Sequence, residues 1–199
     1  MTTVEMTKRT AEASPRLTAR IAAVFYLLTF VTGGYAAVYT SRGLVAYANA
    51  ANLIASACYI VVTLLFYVLF MAVNRNLSLL AAVVSLMGCL IGPLGFFRLA
   101  PFPINPLVFF GIYCLLIGYL IFRSTFLPRF LGALMALGGL GWLTFLWPTL
   151  AKALSPYIML PGVLGEGSLT LWLLLAGVNV PRWKEQAGAI LTRHAAGLA

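Results

Sequence analysis

Six long apolar runs, set apart by short breaks of basic residues, glycine or proline, dominate the 199 residues. They occupy residues 21–40, 49–73, 77–99, 106–122, 131–149 and 157–180. A helix needs about 20 residues to cross about 30 Å of hydrocarbon, so each run fits one crossing. The breaks are Ser41-Arg42-Gly43, Asn74-Arg75-Asn76, residues 100–105 with two prolines, Arg123-Ser124-Thr125 and residues 152–156. Such clusters stop periodic structure. Asn105-Pro106 reads as an N-cap followed by proline in the first helical turn, and Ser124 or Thr125 ahead of Pro128 reads similarly. Hydrophobic residues make up 62% of the chain and charged ones 9%, against about 45–50% and about 25% in soluble domains. The mean hydropathy is +1.00. These values exclude a disordered chain, a collagenous repeat and a disulfide scaffold. The expected fold is all-α: a polytopic integral membrane protein with six transmembrane helices in one bundle over residues 21–180. Residues 1–20 form a basic N-terminal tail and residues 181–199 a C-terminal tail, with no room left for a soluble domain.

Basic residues orient the bundle. With six crossings both termini share one side, which gathers Lys8, Arg9, Arg16, Arg20, Arg75, Arg123, Arg129, Arg182, Lys184 and Arg193 there, against Arg42, Arg98 and Lys152 opposite. Ten against three places both termini in the cytoplasm by the positive-inside rule. The net charge of +9 is therefore a topology signal. It is spread over two tails and two tight loops, which suits anionic headgroups of the bilayer and not a nucleic acid. The first run is longer than the 7–15 residues of a signal h-region, so it is read as a retained helix in spite of the small-x-small triplet Ala46-Tyr47-Ala48.

Little of the usual chemistry is present. Cys58, Cys89 and Cys114 fall in three different apolar runs, and the single histidine, His194, falls in the C-terminal tail. Neither a disulfide framework, a zinc site nor an intramembrane haem ligand follows, and no cofactor is expected. The chain has no Asp, no G-x-S-x-G and no H-E-x-x-H, and Ser85 and Ser168 lack a histidine to activate them. No nucleophile and base can be paired, so an enzyme is not expected.

Polar and small residues recur with helical period. Asn49, Asn52, Ser56, Tyr59, Thr63 and Tyr67 form one stripe in the second run, and Tyr26, Thr29, Gly33, Ala36 and Thr40 form a matching face in the first. Stripes of this kind face protein or water, not lipid. Gly88 and Gly92 make a GxxxG in the third run, with Ser85 and Gly95 on the same side; Gly111 and Gly118 flank Cys114 in the fourth, and Gly132, Ala136 and Gly139 line the fifth. Small residues let helices approach closely in lipid, where no hydrophobic force draws them together. Gly92-Pro93-Leu94-Gly95 in the third run, and Pro161-Gly162 followed by Gly165-Glu166-Gly167 in the sixth, are expected to kink or unwind at similar depth on the outer side.

Glu166 is the most informative residue. It lies nine positions past Tyr157, roughly 13 Å along a helix at about 1.5 Å per residue. A carboxylate at such depth costs about 2.5–3.5 kcal/mol on insertion scales unless it is paired, hydrated or protonated. Arg98 is the first candidate partner, Arg42 the second and Lys152 the third. Two readings stay open. In one, Glu166, Arg98, Asn52, Tyr59 and Thr170 line an outward-facing cavity for a small molecule or ion, between the second, third and sixth helices. In the other, Glu166 and the polar stripes only brace the packing of a structural or accessory protein.

Residues 107–146 (LVFFGIYCLLIGYLIFRSTFLPRFLGALMALGGLGWLTFL) and 154–186 (LSPYIMLPGVLGEGSLTLWLLLAGVNVPRWKEQ) resemble the bacterial membrane family called domain of unknown function 4386. Residues 21–36 and 57–82 are similar to it too, so the likeness covers nearly the whole chain. The resemblance implies a six-helix protein of the bacterial inner membrane with no established activity. The chain departs from that pattern in a shorter connection between the third and fourth helices, and in Arg98, near which many members carry a histidine.

Overall fold

The computed structural model describes residues 14–96, 105–155 and 157–195. Among them every regular element is helical: α1 (Pro15–Ser41), α2 (Val45–Phe70), α3 (Arg75–Phe96), α4 (Leu107–Arg123), α5 (Arg129–Leu143), the short α6 (Pro148–Leu154), α7 (Leu160–Leu175) and α8 (Val180–Ala195), with 3-10 turns at Thr144–Leu146 and Tyr157–Met159. Five of the apolar segments are long enough to cross a membrane: Pro15–Ser41, Val45–Phe70, Arg75–Gly95, Arg129–Leu146 and Tyr157–Leu175. The further apolar helix, α4, has 17 residues, the lower end of the spanning range. The all-helical character read from the apolar runs is thus present in the structure, and the length and composition of these helices fit a multi-pass membrane protein.

The helices form a closed ring. Successive helices α1 to α5 pack on one another in chain order, α5 packs on α7, and α7 returns to α1. Each helix turns one side inward. Tyr26, Phe66, Tyr113, Ile117, Met135, Leu169 and Leu173 are fully buried, whereas Leu90, Leu164, Leu171 and Leu175 lie bare on the outside. Leu175 is 76% exposed. A water-soluble protein covers such side chains; a chain solvated by acyl tails has no need to.

Small residues set the spacing. On α4 and α5, Gly118 faces Gly132 and Gly111 faces Gly139 reciprocally, so close that a Cβ on Gly118 would lie 2.8 Å from the Gly132 carbonyl oxygen and one on Gly139 2.7 Å from that of Gly111. A side chain at any of these positions would push the helices apart. The GxxxG of α3 turns toward α4: Gly88 meets Phe109 and Phe110, and Gly92 meets Pro106. Ser85 turns instead to α2, where its hydroxyl lies 2.7 Å from that of Thr63. The polar stripe of α2 faces inward, with Tyr59 and Thr63 buried and Asn49, Asn52, Ser56 and Tyr67 half-buried.

Three expectations are corrected. Of kinking or unwinding at the two proline-glycine stretches, unwinding does not occur: α3 continues through Pro93 to Phe96, and α7 is helical from Leu160 to Leu175. Pro161 stands in the first turn of α7, where no backbone N–H is needed, and the glycines that follow serve contact. The last long helix stops before residue 180, because Gly177 takes a φ of +70°, a left-handed conformation that terminates α7. The C-terminal segment, read as a tail, carries α8. Its Trp183 is buried and donates from Nε1 to the Leu69 carbonyl at 2.9 Å, while Gln186 accepts from Thr125 N at 3.0 Å and donates to the Arg123 carbonyl at 3.1 Å. These bonds dock α8 across the end of the ring where α2 and α4 finish.

Candidate functional site

Glu166 sits inside the ring. It is 5% exposed and shares the buried face of α7 with Gly162, Gly165, Leu169, Thr170 and Leu173. Gly165 abuts the Leu134 carbonyl of α5, and Gly162 gives its side-chain space to the indole of Trp142. Because both positions lack a side chain, α5 comes close enough for Trp142 to reach past Gly162 to the acid. Its Nε1 donates to Glu166 Oε1 at 2.6 Å.

The other oxygen is held from the opposite side of the ring. Tyr26 on α1 donates its hydroxyl to Oε2 at 2.6 Å. Tyr59 on α2 lies 3.4 Å from the same oxygen and 3.2 Å from the Tyr26 hydroxyl. Cys114 on α4 directs its thiol to Oε1 at 3.5 Å. The carboxyl group of α7 therefore gathers donors from α1, α2, α4 and α5. The two 2.6 Å bonds are as short as charge-assisted ones, which run about 2.5–2.9 Å. Trp142 can only donate, so Oε1 is an acceptor.

Aromatic rings close the cage. Tyr26 meets Tyr59 edge-on at 5.3 Å between centroids, Tyr59 lies 4.7 Å from Phe110 and 5.9 Å from Tyr113, and Phe145 stacks on Trp142 at 6.3 Å. Beside the cage lies the buried hydroxyl of Tyr113. No group of three or more His, Cys, Asp or Glu side chains able to hold a metal occurs among the described residues.

The proposed cavity residues separate. Tyr59 and Glu166 meet in the cage, while Thr170, 2% exposed, bonds back to the Glu166 carbonyl at 2.8 Å. Asn52 lies elsewhere, with Ser56, in a cleft of about 900 Å³ between α1, α2, α3 and the start of α4. Phe110 lines that cleft and also packs on Tyr59, so its ring stands between the cleft and the cage. Arg98 falls outside the described residues. Arg42 and Lys152 are exposed, and among the described residues no basic side chain is paired with Glu166.

Glu166 and Tyr59 stand out in the sequence; the two shortest partners of the acid do not. Tyr26 was visible as the aromatic member of the small-residue face of the first run. Trp142 had a signal too: it follows Gly138, Gly139 and Gly141 on a helix of close contacts, and a buried indole N–H normally finds an acceptor.

No curated protein and no solved structure matches the chain. Residues 102–177, which contain Cys114, Trp142 and Glu166 but neither Tyr26 nor Tyr59, match the family called domain of unknown function 4386, and over that segment the resemblance is borne out.

Proposed function

We propose that this chain is a structural or accessory protein of the bacterial inner membrane, crossing it six times with both termini in the cytoplasm, in which Glu166 is a brace and not a ligand site. The observation that carries this reading is the saturation of the carboxyl group. Each oxygen already takes a 2.6 Å bond from a neutral donor on a different helix. Glu166 is absent from the lining of the large outer cleft. A cation reaching it would have to displace those donors and the Phe110 ring. The reading is also non-catalytic, because the one intramembrane acid is committed to holding helices.

Charge supports the orientation. Arg16, Arg20, Arg75, Arg123, Arg129, Arg182 and Lys184 stand at the end of the ring where α1 begins and α8 docks, whereas Arg42 and Lys152 stand at the other. Single cysteines at Lys184→Cys and Arg42→Cys test it with a membrane-impermeant maleimide on intact cells stripped of their outer barrier. Arg42→Cys should label and Lys184→Cys should not, and the reverse pattern overturns the orientation. For the brace, Glu166→Gln should lower resistance to unfolding, while the parent protein gains no stability from sodium, potassium or calcium. Stabilisation by one of these ions that vanishes in Glu166→Gln would make the residue a site.

A further inference from the structure

A second cleft, of about 540 Å³, opens at the other end of the ring between the start of α1, the α4–α5 turn and the α7–α8 junction. Its polar lining includes Arg16, Thr125, Asn179 and Arg182, and among the described residues none that lines it is acidic. Arg182 Nη1 makes only a long contact, 3.5 Å, with the Thr125 carbonyl. Among the described residues neither Arg16 nor Arg182 has an acidic partner. Both guanidinium groups are exposed at the mouth of one concavity, and no acidic side chain among the described residues offsets their charge there. The N-terminal end of α8 faces the same space and adds the positive end of its dipole.

The cleft is built for this. A Cβ on Gly177 would lie 3.2 Å from Arg16 Cγ, so the bare glycine gives the stem of Arg16 room to lie across the junction. Asn179 accepts from the Arg182 backbone N–H at 3.2 Å, which fixes the first turn of α8 and with it the start of the Arg182 side chain. Trp172 lines the cleft on its apolar side and meets the exposed ring of Phe130 edge-on at 5.7 Å. Cations on one side and an aromatic wall leading to the lipid-facing surface on the other is the pattern of an amphiphile lying at the membrane interface. A soluble anion would have no use for that wall.

We propose that this cleft binds the phosphate headgroup of an anionic membrane lipid, with Arg16 and Arg182 on the phosphate oxygens and Trp172 against the glycerol and upper acyl chain. Guanidinium groups suit the task, since each can offer two parallel N–H donors to a phosphate.

The test is retention of dioleoyl phosphatidylglycerol by the full chain in neutral detergent, followed by native mass spectrometry, with dioleoyl phosphatidylcholine and inorganic phosphate as separate arms. At about 1 kcal/mol per basic residue near an anionic headgroup, Arg16→Gln with Arg182→Gln should weaken phosphatidylglycerol binding roughly thirtyfold. Lys184→Gln with Arg75→Gln removes two charges outside the cleft and should change binding less than about threefold. Arg16→Lys with Arg182→Lys keeps the charge and should give an intermediate loss, which serves if the glutamine pair does not fold. Equal losses from both glutamine pairs would mean diffuse attraction and overturn the site. So would phosphatidylcholine bound as tightly as phosphatidylglycerol. Millimolar inorganic phosphate that displaced the lipid completely would show a free-anion site and overturn the lipid assignment.

Discussion

Replacing Tyr26 by Phe removes one oxygen and little else, and that oxygen makes the 2.6 Å bond to Glu166 Oε2. A buried hydrogen bond contributes about 0.5–1.5 kcal/mol between neutral groups and about 1.5–3 kcal/mol to a charged one, against about 0.6 kcal/mol for an average interhelical bond in a membrane protein. After the change Oε2 keeps only Tyr59, 3.4 Å away, so Tyr26→Phe should destabilise the bundle by about 1–3 kcal/mol. Tyr59→Phe loses two long contacts, at 3.2 and 3.4 Å, and should cost only about 0.6 kcal/mol. Equilibrium unfolding in mixed micelles at increasing denaturing detergent gives both values. A double-mutant cycle with Glu166→Gln isolates the pair, and Tyr26 and Glu166 should couple by more than about 1 kcal/mol because they share one network. A Tyr26→Phe effect below about 0.5 kcal/mol, a larger effect from Tyr59→Phe, or simple additivity with Glu166→Gln would refute the brace.

Other positions make narrower tests. Gly165→Ala places a methyl group against the Leu134 carbonyl, so it should force α5 from α7 and lower stability by about 1–3 kcal/mol in the same unfolding assay. Gly177→Ala puts a Cβ at a φ of +70°, at a cost of about 1–2 kcal/mol, and should also weaken phosphatidylglycerol binding by moving Arg16. Trp183→Phe deprives the Leu69 carbonyl of its 2.9 Å donor; amide exchange should quicken over Val180–Ala195 while α1 to α5 keep their protection, at about 1 kcal/mol of local stability.

The long apolar helices were legible because lipid imposes a simple rule: about 20 apolar residues, then a break. The helix ends were less so, since Gly177 stops α7 inside an apolar run and Pro93 fails to stop α3. Hydropathy marks where a chain can lie and does not mark a backbone dihedral. The helix α8 was missed for the opposite reason. Trp183 and Ala187, four apart, form its buried edge, but the segment is too polar to register beside the runs before it. Within the site, Glu166 is exposed by the rarity of a charge in an apolar helix, and a lone acid there suggests a cationic partner. The donors that meet it, Tyr26, Trp142 and Cys114, are neutral residues that in an apolar run look like packing. Only the position of one helix against another turns an indole or a phenol into a partner.

That position explains why the acid stands on α7. Around the ring, α1 to α5 pack neighbour to neighbour in chain order, and α6 links α5 to α7. The contact of α7 with α1 joins elements from opposite ends of the chain, and nothing covalent holds it. Tyr26 and Glu166, 140 residues apart, bond across that seam. Glycines on the same face of α7 seat it against α5, where Trp142 takes the second oxygen. A van der Waals contact alone can slide along a lipid-exposed helix, whereas a carboxyl group buried between two fixed donors has one low-energy register. Placing the single intramembrane acid at the unlinked seam therefore fixes the ring where its connectivity is weakest, and the desolvation of that acid is offset only once the first and last members of the ring have met.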